Sequence, residues 1–128
     1  MSLLLDTHIL LSVVDTPRKL PAAIEELLQS GETAMSASVA SLWEIAIKAR
    51  LGKLPMRTSP SSLPDALSPA GIAILPIDHR HVLPELDPEP STRDPFDRLL
   101  LAQCQVEGMR LVTVDRVLAA HPLAWREA

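Results

Sequence analysis

The sequence holds a single cysteine, Cys104, among 128 residues, which excludes a disulfide framework and any multi-thiolate zinc or iron–sulfur centre. Such sparing use of cysteine suits a reducing cytosol. Aromatic rings are almost as rare: Trp43, Phe96 and Trp125 are the full set, with no tyrosine. So few rings argue against a platform that stacks successive bases of a single strand. Four glycines cannot build the glycine-rich dinucleotide fingerprint or the phosphate-binding loop, and neither motif occurs. No apolar run approaches the ~20 residues of a membrane span, and no basic region precedes the apolar N-terminal stretch. A cytoplasmic protein without membrane association is the expectation.

What is present is the composition of a globular chain, with 47% hydrophobic and 22% charged residues, so a buried core is affordable and disorder is not expected. The length suits one domain, residues 1–128, able to bury roughly two-thirds of its unfolded surface without staples. The net charge is −4, which weighs against bulk electrostatic binding of nucleic acid. Its distribution is uneven. No acid lies between Glu44 and Asp65, while Lys48, Arg50, Lys53 and Arg57 fall within that gap. This strip reads either as a phosphate contact beside a negative site or as a solvated helix face.

Apolar runs alternate with helical patterns along the chain, without internal repeats. Strands are expected at Ser2–Leu5, Thr33–Ser36, Ile72–Ile77 and Arg110–Val114, with a last short one at Pro122–Trp125. Helices are expected at His8–Val14, Pro21–Ser30, Ser38–Gly52, Leu63–Leu67 and Pro95–Glu107, with shorter turns within Asp78–Leu86 and Asp115–Ala120. In the helix Ser38–Gly52 the apolar positions Val39, Leu42, Trp43, Ala46 and Ala49 suggest a stripe with Trp43 toward the core. Near-continuous apolar strands separated by helices imply a parallel sheet covered on both faces. The expected fold is therefore α/β, a three-layer α/β/α sandwich around a parallel sheet of four to five strands.

Two of those strands end alike. Leu3-Leu4-Leu5 runs into Asp6, and Leu111-Val112-Thr113-Val114 runs into Asp115. In an open parallel sheet, ligands gather outside the carboxyl ends of the strands. Each aspartate also has a plainer role as the cap of the helix that follows. Glu44 either folds back onto Ser41 in a capping box or, if the helix starts at Ser38, is free to act as a ligand. Asp94-Pro95-Phe96-Asp97 opens the second long helix: Asp94 suits the N-cap, Pro95 the first turn, and Asp97 lies on the face of Asp94. Arg93 and Arg98 flank the pair and are candidates for phosphate contact.

Taken singly, each acid is explained by helix capping. Converging on one rim, five carboxylates resist joint ionisation unless a cation joins them. Mg²⁺ and Mn²⁺ favour such oxygen donors, and the chemistry they support is phosphoryl transfer. Of the remaining polar residues, Thr113 is placed to bond a carboxylate, and Thr7 reads as a helix cap. His8 reads as a first-turn residue, His79, His81 and His121 as surface or loop residues, and Cys104 as a packed hydrophobe.

LLLDTHILL (3–11), SASVASLWEIAIKARLGKL (36–54), RDPFDRLLLAQC (93–104) and LVTVD (111–115) together resemble the PIN-domain nucleases, specifically the VapC-type toxins of bacterial toxin–antitoxin pairs. The resemblance implies a metal-dependent endoribonuclease. It maps the acids that bind Mg²⁺ or Mn²⁺ onto Asp6, Glu44, Asp97 and Asp115, with Asp94 as a supporting ligand. It also implies a homodimer, an RNA substrate and a cognate antitoxin that occupies the active-site groove. Relatives often carry His-Arg before the DPFD stretch, whereas here Thr92 precedes Arg93. Lys48, Arg50, Arg93 and Arg98 are the candidate substrate-binding cations. The alternative is a catalytically inactive PIN-like module that binds RNA or protein. A phospho-accepting signalling domain also gathers acids at strand ends but typically carries a lysine after its last strand, and every lysine here lies at or before Lys53.

Overall fold

A computed structural model describes residues 1–127. Strand β1 (Ser2–Leu5) lies inside the sheet, paired with β2 (Ala34–Ser38) on one side and β4 (Arg110–Val112) on the other. β3 (Ile72–Leu75) pairs with β2, giving the order β3-β2-β1-β4, and every pairing is parallel. Helices α1 (Thr7–Val14) and α2 (Ala22–Gln29) link β1 to β2. α3 (Val39–Arg50) and α4 (Leu63–Leu67) link β2 to β3. α5 (His79–Val82) and α6 (Pro95–Glu107) link β3 to β4, which α7 (Arg116–Ala119) follows.

Period-two alternation within the strands separates two cores. Leu3, Leu5 and Val112 join Ile9, Leu10, Ile24, Ile45, Leu63 and Leu67 of α1–α4. Leu4 and Leu111 point the other way and pack with Leu100, Leu101 and Cys104 of α6 and Leu118 of α7. With both faces covered, β1 has no solvent side, which is why three successive leucines are fully buried there. Each contributes roughly 1.5–3 kcal/mol by leaving water. The result is the expected three-layer α/β/α arrangement.

The connections create the feature that matters for function. From β1 the chain steps outward through β2 to β3, then crosses back over β1 to lay down β4 on its far side. Strand order therefore reverses between β1 and β4, and a crevice opens beyond their carboxyl ends. Asp6 follows β1 directly, Asp115 lies three residues beyond β4, which ends at Val112 rather than at the expected Val114, and the Asp6 N–H donates to the Val112 carbonyl at 3.0 Å.

Helix boundaries follow from caps. Ser38 accepts from Ala40 N–H at 2.9 Å and starts α3, so Ser41 lies inside the helix and no capping box forms with Glu44. Pro95 occupies the first turn of α6, whose far end is closed by Gly108 in the left-handed conformation at φ 69°, where a side chain would add strain.

Three further expectations differ from the structure. The last strand shrinks to one parallel bridge, Leu111 to Ala124, where the Leu123 carbonyl and the Trp125 N–H bond the backbone of Leu111. Helix α3 is rotated from its apolar reading: Ala40, Ser41, Glu44 and Ile45 are buried, whereas Trp43 is 62% exposed and meets Phe96 edge-on, with ring centroids 5.7 Å apart. The polar Ser41–Glu44 face is the inward one because partners await it there. His81 and His121 are buried rather than on the surface. His81 Nε2 pairs with Glu107 at 2.7 Å, and His121 Nε2 with the Pro88 carbonyl at 2.8 Å, so the first ring ties α5 to α6 and the second ties the loop at Pro88 to the segment after α7.

Candidate active site

One cleft of about 140 Å³ is lined by Asp6, Thr7, His8, Glu44, Lys48, Asp94, Asp97, Asp115 and Leu118. All five acids singled out in the sequence meet there. They arrive from three directions: the ends of β1 and β4, the inward face of α3, and the first turn of α6.

Capping and convergence turn out to be the same arrangement. Asp6 Oδ1 accepts from the N–H groups of His8 and Ile9 at 2.7 and 3.4 Å, so it caps α1. Its Oδ2 accepts from Thr113 Oγ1 at 2.6 Å. Thr113 in turn accepts the Asp115 N–H at 3.0 Å, which ties the two strand ends together. Asp94 Oδ1 caps α6 through Phe96 and Asp97 N–H, and Asp115 Oδ1 caps α7 through Val117 and Leu118 N–H. In each cap one oxygen serves the helix, and for Asp94 and Asp115 the second oxygen stays available. Three helix N-termini thus turn their positive ends toward the cleft.

Glu44 is held differently. Thr7 Oγ1 lies 2.7 Å from Glu44 Oε1 and 2.9 Å from Ser41 Oγ. Thr7 is the donor in both contacts, so its one hydroxyl proton is shared between the Glu44 carboxylate and Ser41. Thr7 is therefore not a cap, a role that Asp6 fills, but a support for Glu44. Lys48 Nζ contacts Glu44 Oε2 at 2.7 Å, one helical turn further on.

Asp97 caps nothing. Its one side-chain bond is a long 3.4 Å contact from Thr92 Oγ1. Burial, followed by the charges of Asp94, Asp6, Glu44 and Asp115, pushes its carboxyl up to about 6. That crowding is the electrostatic signature of carboxylates gathered without enough cations. The neighbouring negative charge also raises the Lys48 ammonium, chiefly through its bond to Glu44.

The remaining cations lie elsewhere. Arg50 is exposed at the end of α3, as are Lys53 and Arg57 beyond it, so of the basic strip only Lys48 lines the cleft. Arg93 and Arg98 border a separate groove of about 530 Å³ beside α5 and α6. Arg98 pairs there with Glu89 at 2.6 Å. Sequence reasoning missed Thr7 and Ser41 as supports for Glu44. The signal was available as two hydroxyl residues, one beside Asp6 and one a turn before Glu44.

A parallel α/β sheet with carboxylates massed at its switch point defines a class of acid-cleft α/β proteins. The chain belongs to the PIN domain family, which it matches over residues 3–122. It is 41% identical over 69 residues to Ribonuclease VapC16 of Mycobacterium tuberculosis (strain ATCC 25618 / H37Rv), a match covering 51% of this chain. The chain spans about half the length of that relative, 49%.

Proposed function

We propose that the protein is a metal-dependent endoribonuclease, a VapC-type toxin that hydrolyses RNA phosphodiester bonds, with residues 1–128 as one nuclease domain. The observation that carries this reading is the meeting of five carboxylates in one cleft, where burial first and the neighbouring carboxylates second raise Asp97. Kinship to a protein named as a ribonuclease supports the substrate class.

The donor set fits Mg²⁺ or Mn²⁺: it is all hard oxygen, and Asp94 and Asp115 each keep an oxygen free of capping bonds. Asp6, Glu44, Asp97 and Asp115 would hold the ion, with Asp94 beside them. Among the described residues, no group of three or more His, Cys, Asp or Glu side chains is already drawn together to hold a metal ion. When bound, such a cation supplies Lewis-acid activation of water and neutralises charge on the phosphoryl oxygens. The protein's own groups do the rest. Thr113 fixes Asp6 relative to Asp115, and Thr7 fixes the rotamer of Glu44. In the metal-free protein Asp97 takes up a proton below about pH 6, and that proton would compete with the ion. Lys48 is assigned to the RNA backbone at the cleft itself, and Arg50, Arg93 and Arg98 to phosphates further along the strand, outside it.

The same reading includes a homodimer, a cognate antitoxin that covers the cleft, and a cytoplasmic location. No helix among the described residues is long and apolar enough to cross a membrane. The test incubates purified protein with a mixed RNA pool, with Mn²⁺ and then with a chelator. Cleavage by wild type with Mn²⁺, lost in Asp6→Asn and Asp115→Asn, is the expected result, because Asn keeps the caps but loses the charge. RNA retained on the protein without cleavage under every metal tried would overturn the enzyme in favour of a binding module.

A further inference from the structure

Among the described residues, Lys48 is the single lysine or arginine lining the acid cleft. Its ammonium lies 2.7 Å from Glu44 Oε2, on the oxygen opposite the one held by Thr7. Both Glu44 oxygens therefore already have partners. The two side chains differ in freedom. Glu44 is 8% exposed and Lys48 42%. Glu44 is buried and tied to Thr7, so it cannot swing away. The lysine lies on a flexible four-carbon stem that opens to solvent at the mouth of the cleft.

We propose that Lys48 is the resident counter-ion of the acid cleft, and that Glu44 takes a divalent cation only by exchanging this ammonium for it. The inference rests on the metallonuclease reading above. The argument is spatial and electrostatic. A divalent ion on Glu44 Oε2 would approach the oxygen from the region the ammonium occupies, and two cations on one buried oxygen repel each other. The spacing also favours the pair while the metal is absent, because glutamate four residues ahead of lysine is the better orientation on a helix. The negative charges of Asp94 and Asp97 add to that of Glu44 in holding the ammonium. Exchange delivers the freed ammonium to the outer edge of the cleft, where a phosphate of the substrate would meet it. Binding of metal and the placing of a phosphate-seeking cation are then one event.

Mn²⁺ titration by calorimetry on wild type, Lys48→Met and Lys48→Arg tests the exchange. Removing the competing ammonium should tighten Mn²⁺ binding about two- to fivefold, the range expected for losing one partly exposed ion pair. Lys48→Arg keeps a cation and should stay near wild type. In parallel, wild type is acetylated briefly with an N-hydroxysuccinimide ester, with and without Mn²⁺, and read by mass spectrometry. Lys48 should gain reactivity several-fold with metal while Lys19 and Lys53 stay constant, and this arm holds even if Lys48→Met fails to fold. Unchanged affinity in Lys48→Met, or unchanged Lys48 acetylation, would overturn the exchange and leave the nuclease reading intact. Weaker affinity would also overturn it, and would make Lys48 a prop for Glu44. If no variant bound Mn²⁺, the metallonuclease reading would fall and the exchange with it.

Discussion

Replacing Asp97 with Asn should have opposite effects with and without metal. In the metal-free protein the Asp97 carboxyl is raised from 3.8 to about 6, so its ionised form is disfavoured in the fold. A carboxyl raised on folding costs stability once it ionises. The cost is complete above about pH 6, shrinks as the pH falls through the window down to 3.8, and vanishes below it. About two units would amount to ~3 kcal/mol at full strength. Asp97 is only half-buried and water screens it, so ~1 kcal/mol is the better figure. Removing the charge should therefore raise the metal-free melting temperature by about 3–5 °C at pH 7.5 for a chain of this size. That gain should fade toward pH 4. With Mn²⁺ the order reverses, because an ion that binds only the folded state stabilises wild type by mass action, and the variant lacks a ligand. Thermal melts of both proteins, in chelator and in millimolar Mn²⁺, at pH 7.5 and 4, read all four corners. A variant that melts at or below wild type in chelator at pH 7.5 would refute the crowding argument. An undiminished Mn²⁺ shift would remove Asp97 from the ligand set.

Two further outcomes follow from the same geometry. Thr113→Val keeps the shape of the side chain but deletes the bonds to Asp6 Oδ2 and Asp115 N–H; chemical denaturation should show a loss of about 1–3 kcal/mol, with RNA cleavage falling further than stability alone explains. Mn²⁺ affinity, titrated by calorimetry at a series of pH values, should weaken as the pH drops below about 6, where Asp97 in the metal-free protein takes up a proton that competes with the ion; an affinity that stays flat down to pH 5 would contradict the assignment.

Much of the fold was written locally. Leu3–Leu5 and Leu111–Val112 declare buried strands because a strand covered on both faces needs no polar alternation. The bounds of α6 follow from Pro95, Asp94 and Gly108, each of which is a statement about backbone geometry at one position. The acids were legible too, since a strand running straight into an aspartate marks the ligand-bearing edge of a parallel sheet.

The errors fall where tertiary partners overrode local character. Trp43 looked like a core residue by hydrophobicity, yet the inward face of α3 is the polar one, because Thr7 from α1 and Lys48 satisfy Glu44 there. His81 and His121 looked like loop residues until distant acceptors, Glu107 and the Pro88 carbonyl, made their burial affordable. The basic strip looked continuous, but only Lys48 projects from α3 into the cleft, while Arg50 ends the helix in solvent.

The sequence by itself determined most of the strands and helices, most of their caps, and that acids follow two strands, because these depend on neighbours within a few positions. Only the tertiary structure decided that the caps and the cluster are one object. That depends on the crossing of the chain from β3 back over β1 to β4, which brings Asp6 and Asp115 side by side. It depends equally on the rotation of α3, which turns Glu44 and Lys48 toward them. Neither is a property of any short segment, since both are set by which faces find partners once the sheet is assembled.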